Sequence, residues 1–314
     1  MKLSIIIPYH NEGKAFILET ISQIRNTIDF PDYEIIVVDD FSDDPLSLNG
    51  VTVIRHNTNK GVGAAFDTGV AQAASDNLML MGSDIRFIKN SWSTMLVNEI
   101  EEHPKSFTCT SCVALKAGEM DIEKRKNVNT RTGATIIIYH DRFSNPKKLD
   151  TFRSIIEAKW LSLLNSRDVE SFEIPCILGA AYGVKKSWYQ YCDGFALHRK
   201  WGTLEPYISL KSWLFGGSCR VAPRIEIGHI FKTAGTHGTT QDVMIYNKLM
   251  VARVLFYNHD LLVKFLGSNP IVERGREMYN QNLPAILKKA EEYKSKMIMN
   301  TAQFAARFEI DYRL

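Results

Sequence analysis

Four short, mostly apolar runs in the first third of the chain, each followed by polar residues, set what it can fold into. They are Leu3 to Ile7, Glu34 to Val38, Val51 to Arg55 and Leu78 to Met81. Runs this apolar suit parallel strands buried on both faces. Between the first two, Phe16, Ile17, Ile21, Ile24 and Ile28 recur at helical spacing; between the last two, the small residues of Gly63 to Ala74 suit a helix packed close on a sheet. Alternation of this kind predicts an α/β fold with a doubly wound, mostly parallel sheet and helices on both faces, whose ligands bind past the carboxyl ends of the strands. A dinucleotide fingerprint belongs directly after the first strand. The glycines of Lys60-Gly61-Val62-Gly63 follow the third, which argues against a dehydrogenase.

With 314 residues, 45% hydrophobic and 23% charged, the chain can bury a full core. A net charge of +3 is too small to imply nucleic-acid binding on its own. The opening MKLSIIIPYHNE is interrupted by Pro8 and does not read as a signal peptide. No apolar stretch reaches the roughly 18 residues of a membrane span. The expected location is the cytoplasm, that of a host cell if the chain is phage-encoded. Five cysteines, an odd number, fit reduced thiols. Cys109 and Cys112 form a C-x-x-C in a strand-like setting with no second ligand pair, so a structural role is expected.

Past Asn90 the pattern loosens. Ser91 to Glu101 reads as a helix, and Phe107 to Leu115 and Ala134 to Tyr139 read as strands. Glu123 to Asn127 reads as a solvated loop, with basic residues from Lys124 to Arg131 able to guide a polyanion. Thr233 to Thr240 reads as a flexible segment, followed by helices over Val243 to Leu266 and Leu283 to Lys296.

Several side chains could carry chemistry. Asp39 and Asp40 follow the second strand, where a nucleotide base would lie, and a carboxylate there can accept the imide N–H of uracil. Helix or turn capping is the alternative. Asp84 follows the fourth strand and could bind a hard divalent cation bridging two phosphates. His229 closes a strand-like RIEIG and could supply a second ligand, although a lone histidine is usually structural. The segment from Pro175 to Phe231 suits a sugar pocket. Gly179, Ala180 and Ala181 precede an aromatic-rich turn, and Glu205 opens an amphipathic stretch that ends at Gly216-Gly217. Glu205 could deprotonate an acceptor hydroxyl, or serve as a first-turn acid beside Pro206.

Two blocks carry a resemblance. SIIIPYHNE, EIIVVDDFSDD, NKGVGAAFDTGVAQA and LMLMGSD resemble the successive nucleotide-binding elements of family 2 glycosyltransferases, which have the GT-A fold. Trp201, Gly202, Ser209, Trp213, Gly216, Gly217, Gly228, His229 and Phe231 fall on the galactosyl/N-acetylgalactosaminyl-transferase segment of the polypeptide N-acetylgalactosaminyltransferases. The resemblance implies a GT-A domain over residues 1–232, with a nucleotide-binding half (1–90) and a sugar and acceptor half (91–232). Residues 233–314 would be a lid loop and a helical C-terminal extension. It implies donor contacts from Pro8, Tyr9, Asn11, Glu12, Asp39, Asp40, Gly61, Asp67, Ser83, Gly179, Ala180, Trp201 and Gly202. Asp40 would meet uracil, and Asp84 and His229 would hold Mn2+ or Mg2+. Trp201 would sit near the lid and the sugar.

The departures are specific. Gly82 stands where the metal motif has its first Asp, Leu204 where the relatives have Glu, Tyr207 at a second acid, and Lys211 at an Arg. Glu205 falls where inverting family 2 enzymes often keep a catalytic Asp. The expected activity is metal-dependent transfer of a sugar from a nucleotide sugar, a UDP-sugar first, to a saccharide, a protein side chain or a hydroxymethylated DNA base. Inversion would use Glu205 as base; retention would leave it to position the sugar. A sugar-phosphate nucleotidyltransferase and a non-catalytic sugar-nucleotide-binding protein are the competing readings.

Overall fold

The computed structural model describes residues 1–87, 91–115, 130–138, 156–162, 169–230, 239–256 and 269–310. Strand β1 (Leu3–Tyr9) lies between β2 (Tyr33–Asp39) and β4 (Asn77–Met81) and runs parallel to both; β3 (Thr52–Arg55) extends the parallel set beyond β2. The register pairs Tyr9 with Asp39, so these strands end level. Helices α1 (Lys14–Thr27) and α2 (Val62–Gln72) form the crossovers at the expected places. Leu3, Ile5, Ile6 and Ile7 are all fully buried. Burial of such a side chain contributes about 2 kcal/mol, most of it offset by lost chain entropy.

Beyond β4 the sheet stops being parallel. Strand β11 (Ala181–Lys185) is inserted antiparallel between β4 and β6 (Ser106–Leu115). β6 in turn pairs parallel with the long β12 (Ser218–Ile230), whose register breaks between Ala222 and Glu226. The short β5 (Ile85–Phe87) runs antiparallel to the end of β12 and pairs Ile85 with His229. Helix α3 (Trp92–Glu102) lies between β5 and β6 in the chain. β7 (Thr130–Arg131) and β10 (Phe172–Glu173) pair with β6 and β12. A separate hairpin joins β8 (Ala134–Ile137) to β9 (Glu157–Trp160). Its place is set by reciprocal hydrogen bonds between the backbones of Ala134 and Cys176, each 3.0 Å.

After β11 come α4 (Lys186–Tyr191), α5 (Leu204–Leu214), α6 (Gln241–Leu255), α7 (Pro270–Gln281), α8 (Leu283–Lys296) and α9 (Thr301–Arg307). Two expectations change here. The helix expected from Val243 to Leu266 ends at Leu255, with residues 257–268 outside those described. The stretch after Glu205 is not amphipathic: every residue from Pro206 to Leu214 is buried, Lys211 included. Lys211 tolerates this because its ammonium donates to the Gly194 carbonyl and lies 3.9 Å from the Tyr207 ring centre. Burial still brings its pKa down to about 8.

All five cysteines are buried and unbridged, and burial pushes the Cys109 thiol up to about 12. The structural reading of Cys109 and Cys112 agrees with this. No described helix is long and apolar enough to cross a membrane. The basic loop from Lys124, the lid expected at 233–240 and Phe231 fall wholly or largely outside the described residues.

Candidate active site

The acids that end β2 are turned into the protein. Asp39 is fully buried and accepts from the backbone N–H of Ser42 (2.9 Å), that of Leu46 (3.2 Å) and the Arg55 guanidinium. Burial works to raise its carboxyl, but these donors outweigh it and hold the group below the ordinary carboxylate value. With no exposed surface and three protein donors, Asp39 organises the turn. Asp40 accepts from the backbone N–H of Lys60 (2.7 Å) and Gly61 (2.6 Å), and a ring nitrogen of His56 lies 2.7 Å away. The other His56 nitrogen is 2.9 Å from the Thr68 hydroxyl. Asp40 therefore fixes the loop that leads into α2.

Gly61 is at φ +101°, and a Cβ there would collide with the backbone of Lys200, so only glycine lets the two chains touch. Val62 N–H donates to the Lys200 carbonyl at 3.1 Å. This contact joins the loop after β3 to the segment carrying Trp201 and Gly202. Asn247 on α6 secures that segment from behind, accepting from Arg199 N–H (3.0 Å) and donating to the Arg199 carbonyl (2.8 Å). Trp201 itself is 40% exposed.

Among the other expected donor contacts, Pro8 and Tyr9 are buried at the end of β1. Asn11, at φ +55°, exchanges hydrogen bonds with Asp43. Glu12 accepts from the Ser83 hydroxyl, tying the loop after β1 to the loop after β4. Asp67 is likewise bonded within the protein. Its carboxylate accepts from Tyr189 OH (2.6 Å) and Phe195 N–H (3.0 Å), which spends it on the turn around Gly194. Burial raises its carboxyl, which marks a group taken from solvent for structure.

The loop after β4 is organised differently. Asp84 and His229 come from distant parts of the chain, yet Oδ1 of one lies 3.4 Å from Nε2 of the other. Pairing of β5 with the end of β12 causes this, because it sets His229 opposite Ile85, next to Asp84. A Cβ on Gly82 would sit 2.8 Å from Asp84 Oδ1, so the missing Asp of the motif leaves room that the remaining one uses. Gly82 N–H donates to the Ala180 carbonyl at 3.0 Å, which places Gly179 and Ala180 beside this loop. Gly179 in turn lies against Glu205, whose carboxylate fills the space a Cβ would need.

Glu205 has its carboxyl raised, first by burial and further by the negative charge of Glu157, while His229 draws it down. Glu205 thus lies within electrostatic reach of both. Glu157 on β9 is held by Lys248, a fully buried lysine of α6, at 2.6 Å. Three residues along β9, the Trp160 ring centre is 6.4 Å from that of His229. The sequence reading missed Glu157, Trp160 and Lys248. One signal was available: a lysine inside the apolar run of NKLMVARVLF sits where solvent cannot reach it.

A carboxylate oxygen and an imidazole nitrogen this close form a donor pair that fits Mn2+ or Mg2+, with the imidazole favouring the former. Among the described residues no group of three His, Cys, Asp or Glu that could hold a metal ion occurs. A cavity of about 320 Å³ between α3 and β12 shares no residue with this site, and the chemistry lies where the ligand groups converge.

A mixed sheet with its acids at the carboxyl ends of parallel strands, one facing a histidine from a returning strand, has the GT-A fold. The comparisons agree with this. Residues 4–158 match the family model described as Glycosyl transferase family 2. The chain is 26% identical over 243 residues to the Homo sapiens polypeptide N-acetylgalactosaminyltransferase 14, covering 73% of this chain and 40% of that protein. It therefore spans less than half the length of the curated relative. The fold is similar to the crystal structure of GalNAc-T7 with UDP, GalNAc and Mn2+ (TM-score 0.63, 17% identity, 88% of this chain and 54% of that one). It is also similar to S. aureus TarS 1-349 in complex with UDP-GlcNAc (TM-score 0.51, 12% identity, 98% of this chain and 83% of that one).

Proposed function

We propose that the chain is a metal-dependent glycosyltransferase that moves a sugar from a UDP-sugar to an acceptor hydroxyl. The observation that carries this reading is the meeting of Asp84 and His229 beside Gly179 and Glu205, at the strand ends where α/β proteins bind ligands. UDP is the nucleotide named with both similar structures, which supports the choice of donor.

In this reading Asp84 and His229 hold a divalent cation whose charge offsets that of the departing diphosphate. Asp40, fixed by His56 and the Lys60–Gly61 backbone, shapes the base end with Tyr9 and Asn11. Glu12 and Ser83 hold the loops after β1 and β4 together. Gly179, Ala180 and Gly202 allow close approach of the sugar, and Trp201 covers it. Glu205 has an elevated carboxyl and lies nearest the sugar end. In an inverting reaction it takes the acceptor proton; in a retaining one it orients the sugar.

The test is UDP release with Mn2+ from a panel of UDP-sugars, offered a Ser/Thr peptide, an oligosaccharide or hydroxymethylated DNA. Metal-dependent UDP release with sugar transfer to one acceptor is expected. Pyrophosphate release would make the chain a nucleotidyltransferase, and binding without turnover on any acceptor would make it a sugar-nucleotide-binding protein.

A further inference from the structure

The chain between α4 and α5 is strained and fastened at once. Asp193, Leu197, Lys200 and Thr203 stand at φ +59°, +66°, +51° and +66°. Residues other than glycine rarely take this left-handed region, and a cluster of them persists only where the surroundings over-determine it. They do so here from two directions. On the α5 and α6 side, Tyr207 OH donates to the Ala196 carbonyl (2.9 Å), Tyr246 OH to the Leu197 carbonyl (3.0 Å) and Asn247 to the Arg199 carbonyl (2.8 Å). On the nucleotide side the fastening is Lys200. Its backbone bridges to Gly61, and its N–H donates to the Lys60 carbonyl at 3.4 Å. Its ammonium donates to the Asn59 carbonyl at 2.6 Å and to the Asn59 side-chain oxygen.

This seam joins two parts of the proposed donor site. On one side, the N–H groups of Lys60 and Gly61 are those that hold Asp40. On the other, Trp201 and Gly202 follow Lys200 directly in the chain. Helix α2 continues the contact: a Cβ on Gly63 would press on Phe195 and Leu204, and Asp67 accepts from Phe195 N–H. The separation between Asp40 and Trp201 is therefore set across the seam, and the ammonium of Lys200 is its charged tie, of a kind stronger than a neutral hydrogen bond. Resting on the glycosyltransferase reading, we infer that Lys200 is a positioning residue, which holds Trp201 and Gly202 at the distance from Asp40 that a bound sugar nucleotide requires. UDP alone meets the Asp40 side of the seam, whereas a UDP-sugar spans both sides. Loss of the tie is therefore felt by the sugar nucleotide and not by UDP.

The experiment measures binding of UDP, UDP-glucose, UDP-GlcNAc and UDP-GalNAc to the full chain with Mn2+ by titration calorimetry. Wild type binds at least one of the sugar nucleotides. Lys200→Met keeps an unbranched stem and loses the ammonium. It leaves the Kd for UDP within about twofold of wild type and weakens that sugar nucleotide roughly tenfold, the worth of one hydrogen bond to a charged group. Asn59→Ala removes one acceptor from the opposite side of the seam and gives the same split at about threefold, which keeps the test open if Lys200→Met folds poorly. A fastening that serves stability alone would lower the urea midpoint without separating the two ligands. Equal changes for UDP and the sugar nucleotide, or none for either, overturn the inference and leave the proposed activity standing. If wild-type protein binds none of the sugar nucleotides, the activity and the inference fall together.

Discussion

Two turns in this molecule look alike in sequence and serve different ends. After β2, Asp39 is fully buried among protein donors, and Asp40 is occupied by His56 and two backbone amides. After β4, Asp84 faces His229, and Glu205 comes up behind them with its carboxyl raised by burial. The first turn uses acids as fasteners, which keeps a carboxylate ionised and the loop rigid. The second gathers acids and an imidazole into one place, where their mutual repulsion and desolvation are useful only if a cation or substrate arrives. A strand-end acid therefore says where a ligand could bind; its protein partners say how much of the carboxylate is already engaged.

The largest test of this contrast is removal of the metal pair. Asp84→Ala and His229→Ala should each lower Mn2+-stimulated UDP release by about 100-fold or more, the scale of losing stabilisation of developing charge. Their urea midpoints should stay near wild type, and full activity of both in EDTA would remove the metal assignment. The opposite pattern is expected at the first turn. Asp39→Ala leaves Arg55 and two backbone amides without their acceptor and should cost about 3 kcal/mol in urea unfolding.

The pH dependence at that turn follows from the same group. The folded-state pKa of Asp39 lies below its unfolded value. Its stabilisation is present above the unfolded pKa and is lost as pH falls through the folded one. Acid unfolding of the Asp39→Asn variant should accordingly be shallower than that of wild type.

Gly179→Ala sharpens the comparison within the second turn. The new methyl group must displace the far end of Glu205, a flexible side chain, so the fold should survive. Turnover should drop roughly tenfold, as for Glu205→Gln, because a misplaced carboxylate serves no better than a missing one. If Gly179→Ala is fully active while Glu205→Gln is not, the contact between them has no bearing on catalysis. For an inverting reaction, Glu205→Gln should also flatten the acid limb of the rate profile.

The smallest effect concerns the segment behind Trp201. His198 is buried and one ring nitrogen lies 2.6 Å from the Gly202 carbonyl; burial brings its pKa down to about 4. The unfolded chain thus binds a proton that the folded one refuses between about pH 6.5 and that value. Stability should fall by about 1 kcal/mol from about pH 7.5 to about pH 5.5 through this group. His198→Gln should remove that increment, measured as the difference in unfolding free energy at the two pH values.

Much of the parallel half was legible in the residues themselves. The runs at Leu3, Glu34 and Leu78 are β-branched or aliphatic and have no charged residue in their interiors, so they could only be central strands. The loops after them then lay at one edge. The antiparallel insertion of β11 was not legible. AYGVK is short, and its neighbours β4 and β6 are set by long-range pairing that no local period records. The same holds for the site. Asp84 and His229 stood out through their motifs, but nothing local told which protein groups Asp39 and Asp67 would bond. Arg55, which holds Asp39, and Tyr189, which holds Asp67, are partners that only folding supplies.

The sequence by itself determined the order of strands and helices around the nucleotide half, because burial imposes a period that can be read residue by residue. It also singled out Asp84 and His229, which the structure brings within 3.4 Å of each other. Only the tertiary structure decided which acids face inward as fasteners and which converge, and brought Glu157 against Lys248. The reason is physical: a side chain's environment is set by groups far along the chain, and charge and burial act through space without regard to sequence.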